Sequence, residues 1–145
     1  AIDPDKKMLE LNTFENKVLG FAEKLPFEDN SFDNIFCSFV WRNVSDTNKA
    51  LNEVYRVLRP GGKFVLLDMT RPKNSFVKIL HKIGTFIVLH LIGLITFNLK
   101  EYRFLYKSLD FYPQPENHLK KDAFIDLQIE RMGLFDFVYL AVFTK

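Results

Sequence analysis

Cysteine and net charge are scarce in this sequence. Its single cysteine, Cys37, excludes an internal disulfide framework and a multi-cysteine metal site. The three histidines, His81, His90 and His118, show no metal-ligand spacing with one another or with Cys37, so we expect no bound metal. One thiol in the whole chain favours a reducing compartment, and the first residues carry no basic-then-apolar leader, so we expect a cytoplasmic protein.

The charge balance and composition exclude further classes. Twenty Lys and Arg against eighteen Asp and Glu give a net charge of +2, which is too small to indicate a nucleic-acid partner. Hydrophobic residues make up 48% and charged residues 26%, which is typical of a globular protein and excludes a disordered tail. A length of 145 residues without an internal repeat or a composition break predicts one domain over residues 1–145.

The middle of the chain predicts a parallel strand-helix-strand unit. Residues 35–40 form a continuous apolar run that is typical of a strand buried on both faces. Ser45 is a candidate N-cap for a helix with apolar residues at helical spacing, and Pro60-Gly61-Gly62 would end that helix. Residues 63–68 then predict a second buried strand that ends in Asp68. The unit indicates an α/β fold.

The two ends of the chain also suggest strands. Residues 1–3 resemble the end of a strand, and a short helix over 5–12 and a short strand over 17–21 follow. Residues 125–130 alternate apolar and polar side chains, Met132-Gly133 can form a turn, and residues 135–143 are again apolar. We therefore predict an antiparallel pair at the C-terminal end of the sheet.

Residues 71–112 form an insertion between these strands, predicted to be helical. From Ile83 to Leu99 there is no charged residue, and basic residues lie on both sides of the run. The run falls just short of a transmembrane helix, which needs about 20 apolar residues. The remaining alternatives are an interfacial helix on anionic lipid, a lid over an apolar substrate pocket, a contact in a homodimer, and a buried core helix.

Several motifs resemble the ubiquinone and menaquinone biosynthesis C-methyltransferases, which depend on S-adenosylmethionine (SAM). The strongest is the stretch over residues 56–70, Arg-Val-Leu-Arg-Pro-Gly-Gly-Lys-Phe-Val-Leu-Leu-Asp-Met-Thr. Residues 38–46 are similar to the family's Ser-Phe-Gly-x-Arg-Asn-Val-x-Asp, with Val40 in place of the glycine. Residues 102–106 and 111–113 are similar to later family motifs. The resemblance implies a Rossmann-like sheet of parallel strands with a C-terminal antiparallel pair, seven-stranded in the intact protein, and a helical insertion that covers the substrate site.

The sequence departs from the family at its start. Members carry a strand and a Gly-rich loop before the acid that matches Asp3, and no such loop is present here. We therefore expect an N-terminally incomplete methyltransferase domain, with a degenerate non-catalytic relative as the alternative. Phe21 also replaces an acid that is common in the family.

The resemblance implies a set of site residues. The candidates for SAM binding are Asp3, which would accept hydrogen bonds from the ribose hydroxyls, Pro4, Ala22 and Glu23 near the adenine, and Ser38 at a strand end. Arg42 and Asn43 are the candidate catalytic residues, because they would stabilise and orient the oxyanion of a phenolic acceptor.

These expectations lead to three hypotheses for function. The first is C-methylation of a lipophilic quinol precursor by a cytoplasmic enzyme in peripheral contact with a membrane. The second is methyl transfer to another small molecule, because Val40 and Phe21 depart from the family pattern. The third is a non-catalytic interaction protein at a membrane surface.

Overall fold

The computed structural model describes residues 1–120 and 123–145 as six strands and five α-helices. A short parallel pair, β1 and β2, is separate from a four-stranded sheet with the order β3-β4-β6-β5. The strands are β1 (Ile2–Asp3), β2 (Val18–Leu19), β3 (Phe32–Ser38), β4 (Leu58–Met69), β5 (Asp126–Met132) and β6 (Val138–Thr144). The helices are α1 (Lys6–Leu11), α2 (Thr47–Val57), α3 (Ser75–Ile95), α4 (Leu99–Phe111) and α5 (Pro115–His118).

The predicted strand-helix-strand unit is present as β3-α2-β4. β3 and β4 are parallel, with Ile35 opposite Phe64 and Ser38 opposite Leu67. One face of α2 is buried in the main core. That face consists of Ala50, Leu51, Val54 and Val57. The spacing of these residues follows the helical period, which is why the sequence located this helix well.

Two details of this unit differ from the prediction. The N-cap of α2 is Asp46, whose side chain accepts a hydrogen bond from the Lys49 amide at 3.0 Å, so Ser45 is not the cap. The residues Pro60-Gly61-Gly62 do not end the helix, because α2 already ends at Val57.

The glycines instead form an irregularity inside β4. The register with β3 shifts between the pairs Phe32–Leu58 and Asn34–Lys63, so the intervening β4 residues bulge. Gly61 has a φ of +77°, and a Cβ on Gly62 would lie only 2.8 Å from the Arg59 carbonyl oxygen. Neither position therefore accommodates a side chain without strain.

The C-terminal antiparallel pair is confirmed, and it completes the core. β5 and β6 are antiparallel, and β6 pairs with β4 along seven residues, from Lys63–Thr144 to Met69–Val138. Phe64 and Phe143 stack at 5.6 Å across this pairing. β6 begins at Val138 rather than at Phe135, because Phe135 and Asp136 have positive φ angles in the connection.

β3 is less buried than the apolar run suggested. It is the edge strand of the four-stranded sheet, so one of its edges carries no neighbouring strand among the described residues. Phe36 on this strand is 75% exposed. The prediction of a strand buried on both faces is therefore wrong for this structure.

The insertion folds as a helical hairpin attached to the sheet by a buried arginine. α3 and α4 pack together, with Gly93 against Leu99 and Tyr102. Arg71 follows β4 and is 2% exposed. Its guanidinium donates to Asp110 of α4 and to Thr85 of α3, both at 2.8 Å.

α3 is long and apolar enough to cross a membrane, by length and composition alone. Almost none of its most apolar stretch is buried in the structure, so the alternative of a core helix is wrong.

We predict that an ion pair at the C-terminal end of the fold makes stability depend on acid pH. Hydrogen bonds from Arg131, and secondarily from Lys73, lower the pKa of Glu116 to about 2 despite its partial burial. A carboxyl group with a depressed pKa stabilises the fold above its unfolded value, near 4.5, and this contribution is lost as pH falls toward 2. Glu116→Gln should cost about 1–2 kcal/mol at neutral pH, after allowance for solvent screening.

Urea denaturation between pH 2 and pH 7 measures this contribution, with Glu101→Gln on the exposed side of α4 as the control. An unchanged pH profile in the Glu116 variant would contradict the assignment.

Candidate active site

A cavity of about 310 Å³ lies between the β1-β2 pair and the carboxyl end of β3. Its walls are largely apolar, and polar groups enter from the strand ends and from the loop after β3. The lining residues include Ile2, Asp3, Pro4, Phe21, Ala22, Glu23, Cys37, Ser38, Val40, Trp41, Asn43 and Ser45. Small-molecule sites in open α/β folds occur at this edge of the sheet.

The structure brings all five cofactor candidates to this cavity: Asp3, Pro4, Ala22, Glu23 and Ser38. Asp3 ends β1, and its Oδ1 accepts a hydrogen bond from the Asp5 amide at 2.7 Å. Asp5 in turn caps α1 by accepting from the Lys7 amide at 2.8 Å. These two turns fix the direction of the chain after β1 and hold the Asp3 carboxylate at the cavity wall.

Glu23 organises the opposite wall. Its Oε1 accepts hydrogen bonds from the backbone amides of Ser45 and Asp46, at 3.0 and 3.2 Å. The loop after β2 is thereby tied to the start of α2. Glu23 therefore has a structural partner as well as a place at the cavity.

The turn after β3 contains the strained residue of the site. Phe39 has a φ of 57°, which is unusual for a residue with a side chain, and its amide donates to the Leu67 carbonyl at 2.8 Å. Val40 has a φ of −117°, which any residue adopts. Replacing the family's glycine by Val40 therefore introduces no backbone strain, and it places an apolar side chain in the cavity wall.

The two candidate catalytic residues are placed differently. Asn43 lines the cavity, whereas Arg42 does not. The Arg42 side chain is only 6% exposed, and its guanidinium forms an ion pair with the fully buried carboxylate of Asp68. Its Nε also donates to Ser108 of α4 at 3.2 Å, and its backbone amide donates to Asp68 at 3.0 Å. Contact between the Arg42 guanidinium and a substrate oxyanion stays a prediction, and in this arrangement the guanidinium is already occupied by Asp68.

Asp68 lies among neutral aromatic side chains. Tyr139 is directly opposite it on β6. Burial raises the pKa of Tyr139 and of Tyr112 well above the ordinary value, so both phenols stay protonated near Asp68. Arg42 is consequently the charge partner on which this carboxylate depends.

Cys37 has the properties of a buried thiol. Burial, with a smaller contribution from the Asp68 charge, raises its pKa to about 12. The thiolate is therefore scarce at neutral pH, which agrees with the prediction that Cys37 is not a nucleophile.

Sequence reasoning did not assign roles to Trp41 and Asp68. Trp41 is 1% exposed and forms part of the cavity wall. Asp68 lies near the carboxyl end of β4, at the same edge of the sheet as Ser38. An acid at the end of a buried strand was the signal that could have identified Asp68 as a functional position. The insertion over residues 71–112 contributes no lining residue to this cavity, so its predicted cover over a substrate site stays a prediction.

Within residues 1–120 and 123–145, no group of three or more His, Cys, Asp or Glu side chains is placed to hold a metal ion.

We predict that the Arg42–Asp68 pair is a large contributor to stability. Asp68→Asn removes the counter-charge and leaves a buried guanidinium without compensation, which should cost about 3–5 kcal/mol. Asp33→Asn is the matched control, because it breaks the exposed Arg59–Asp33 pair and should cost less than about 1 kcal/mol. Chemical denaturation measures both, and equal small losses would contradict the role of the buried pair.

Sequence comparison identifies close relatives. The ubiE/COQ5 methyltransferase family matches over residues 6–131. The ubiquinone/menaquinone biosynthesis C-methyltransferase UbiE of Rickettsia felis is 39% identical over 134 residues, which are 88% of this chain and 54% of that protein. The protein of the same name from Rickettsia bellii is 44% identical over the same shares. The chain thus spans about half the length of these relatives.

Solved structures support the fold. A SAM-dependent methyltransferase of Thermotoga maritima, described as a possible histamine N-methyltransferase, aligns with a TM-score of 0.67 at 20% identity. The alignment covers 99% of this chain and 72% of that one. A putative methyltransferase from an antibiotic biosynthesis pathway of Anabaena variabilis aligns at 0.62 with 19% identity, over 90% of this chain and 47% of that one. The fold is therefore Rossmann-like, and, on the sequence match over most of its length, this chain belongs to the ubiE/COQ5 methyltransferase family.

Proposed function

We propose that the protein containing this chain transfers a methyl group from SAM to a ring carbon of a lipophilic quinol precursor in ubiquinone or menaquinone biosynthesis. The observation that carries the proposal is the convergence of Asp3, Glu23, Ser38 and Asn43 on one largely apolar cavity. Family membership supplies the reaction class, and the activity is proposed for the whole protein, because this chain matches only 54% of its relatives' length.

The residues on the β1 side of the cavity fit a nucleoside. The Asp3 carboxylate has only hydrogen-bond acceptors to offer, which matches the hydroxyl donors of a ribose. Pro4 and Ala22 provide apolar surface on either side of an adenine, and Glu23 lies beside them. When bound, SAM supplies an electrophilic methyl group.

The residues on the β3 side fit a phenolic acceptor. Carbon methylation requires the acceptor's ring to be electron-rich, and this is achieved when its phenol oxygen carries negative charge. The Asn43 amide can donate a hydrogen bond to that oxygen and fix the orientation of the ring. Arg42 acts through Asp68 and its own backbone to hold the Trp41–Asn43 turn in place, and we assign it as a positioning residue.

A lipophilic acceptor implies a particular working place. Quinol precursors with long apolar tails partition into bilayers, so the proposal extends to a cytoplasmic enzyme in peripheral contact with a membrane. The Phe-rich and apolar surface of α3 supports this extension.

We predict that this chain binds S-adenosylhomocysteine, the demethylated product, with one-to-one stoichiometry. Asp3→Ala should weaken binding by about tenfold to a hundredfold, because hydrogen bonds to a charged acceptor are lost. Calorimetric titration measures this, with Asp126→Ala on β5 as a control outside the cavity. Absence of saturable heat, or equal loss in both variants, would contradict the assignment of the cavity to the cofactor.

We predict that methyl transfer in the whole protein requires the Asn43 amide. Asn43→Ala should lower turnover of a polyprenylated quinol by about 10²-fold, the typical loss for one donor to a developing oxyanion. Asn48→Ala on the exposed side of α2 serves as the control. Transfer of labelled methyl groups is compared between the quinol and a polar phenol.

The acceptor comparison separates the hypotheses. Turnover of the polar phenol alone would replace the quinol by another small molecule. Product binding without turnover of any acceptor would favour the non-catalytic alternative.

A further inference from the structure

The outer face of α3 is apolar along most of its length, and the described residues do not cover it. Eleven exposed positions on this helix carry aliphatic or aromatic side chains. They are Phe76, Ile79, Leu80, Ile83, Phe86, Ile87, Val88, Leu91, Ile92, Leu94 and Ile95. Phe97, just after the helix, is 94% exposed. A continuous surface of this kind is not stable in water and marks a docking face.

The second helix of the hairpin adds positive charge to this region. Lys100, Arg103 and Lys107 lie at a spacing of three and four residues, so they share one face of α4, and all three are exposed. Ser108 and Leu109 face the sheet, on another side of the helix. Exposed phenylalanines alternate with the cations on the charged face, namely Phe104 and Phe111.

We propose that the α3–α4 hairpin docks onto a bilayer containing anionic lipids. The apolar face of α3 would lie at the boundary between head groups and acyl chains, and the α4 cations would contact the phosphates. Interleaved Lys, Arg and Phe residues are the pattern that interfacial helices use, because the ring enters the bilayer while the cation stays at its surface.

Charge argues for lipid as the occupant rather than a second copy of the chain. Residues 75–111 carry five Lys or Arg and two acids, a net charge of +3, although the whole chain has a net charge of only +2. A twofold contact through this hairpin would place one cationic surface against another. An anionic lipid surface neutralises the same charges, and every cation near it strengthens binding.

The packing of the hairpin argues for an interfacial position rather than a membrane span. α4 runs back along α3, with Phe86 against Tyr106 and Gly93 against Leu99. If α3 stood upright in the bilayer, α4 would carry its three cations into the hydrocarbon region, which is strongly unfavourable. Lying in the interface keeps these cations among the head groups.

Vesicle flotation tests the role of charge. The chain should bind vesicles that contain phosphatidylglycerol more tightly than pure phosphatidylcholine vesicles. Neutralising Lys100, Arg103 and Lys107 to Gln should lower partitioning onto the anionic vesicles on the order of 100-fold at low salt. Neutralising Lys7, Lys17 and Lys63, which are exposed outside the hairpin, removes the same charge and should have little effect. Equal binding to both vesicle types, or equal loss in both triple variants, would overturn the proposal.

A tryptophan probe tests which surface touches lipid, and it does not depend on the charge variants. Phe104→Trp should give blue-shifted emission and quenching by brominated lipid when vesicles are added, whereas Leu11→Trp, at a similarly exposed apolar site outside the hairpin, should not. The native Trp41 is buried and gives a constant background.

Circular dichroism and gel filtration establish that each variant is folded. Self-association without lipid binding would assign the face to a second copy. Retention of the chain in vesicles after a high-salt alkaline wash would indicate a span. Either result would overturn interfacial docking, and neither result depends on methyl transfer.

Discussion

The buried ion pair between Arg42 and Asp68 is the interaction on which the geometry of the carboxyl edge of the sheet depends. Asp68 is fixed near the end of β4, and it receives both the guanidinium and the backbone amide of Arg42. The loop after β3 therefore cannot move away from β4 without leaving a charge unpaired in the interior. Asn43 and Trp41 flank Arg42 in the same turn, so their places at the cavity wall follow from this pair. Arg42 also contacts Ser108, so the same residue joins the cavity wall to the helical hairpin.

The site and the hairpin make different physical demands on the sequence. The cavity needs a few polar groups held at strand ends, and hydrogen bonds to backbone amides supply that order, as with Asp3 and Glu23. The hairpin instead relies on one buried cation. Arg71 binds Asp110 and Thr85 and lies 4.9 Å from the centre of the Tyr106 ring, so both helices are held to the end of β4 at one point. This attachment leaves the outer face of α3 free of intramolecular contacts, and it fixes the direction in which that face points relative to the cavity.

Sequence patterns predicted the elements whose residues repeat with a clear period. α2 and the β5-β6 pair are present because their apolar positions follow helical and strand periods. The exposure of β3 was not predictable, since an apolar run indicates a strand but does not give the number of its neighbours. The bulge at Gly61 and Gly62 was read as the end of a helix, because a Pro-Gly-Gly sequence is compatible with both. For the site, the family motif located Asp3, Glu23, Ser38 and Asn43 at one cavity, but only coordinates reveal that the Arg42 guanidinium is occupied by Asp68.

The order of the strands has a consequence for how this fold is assembled. β6 lies between β4 and β5, although it follows both of them in the chain. β5 has no partner other than β6 among the described strands, so it cannot join the sheet before β6 has been synthesised. The pairing of Lys63 with Thr144 also closes a loop that contains the whole hairpin, and such distant contacts form slowly. During translation, the apolar hairpin therefore emerges while the sheet that anchors it is still incomplete, and a nascent chain exposes its most water-averse segment before its core can close.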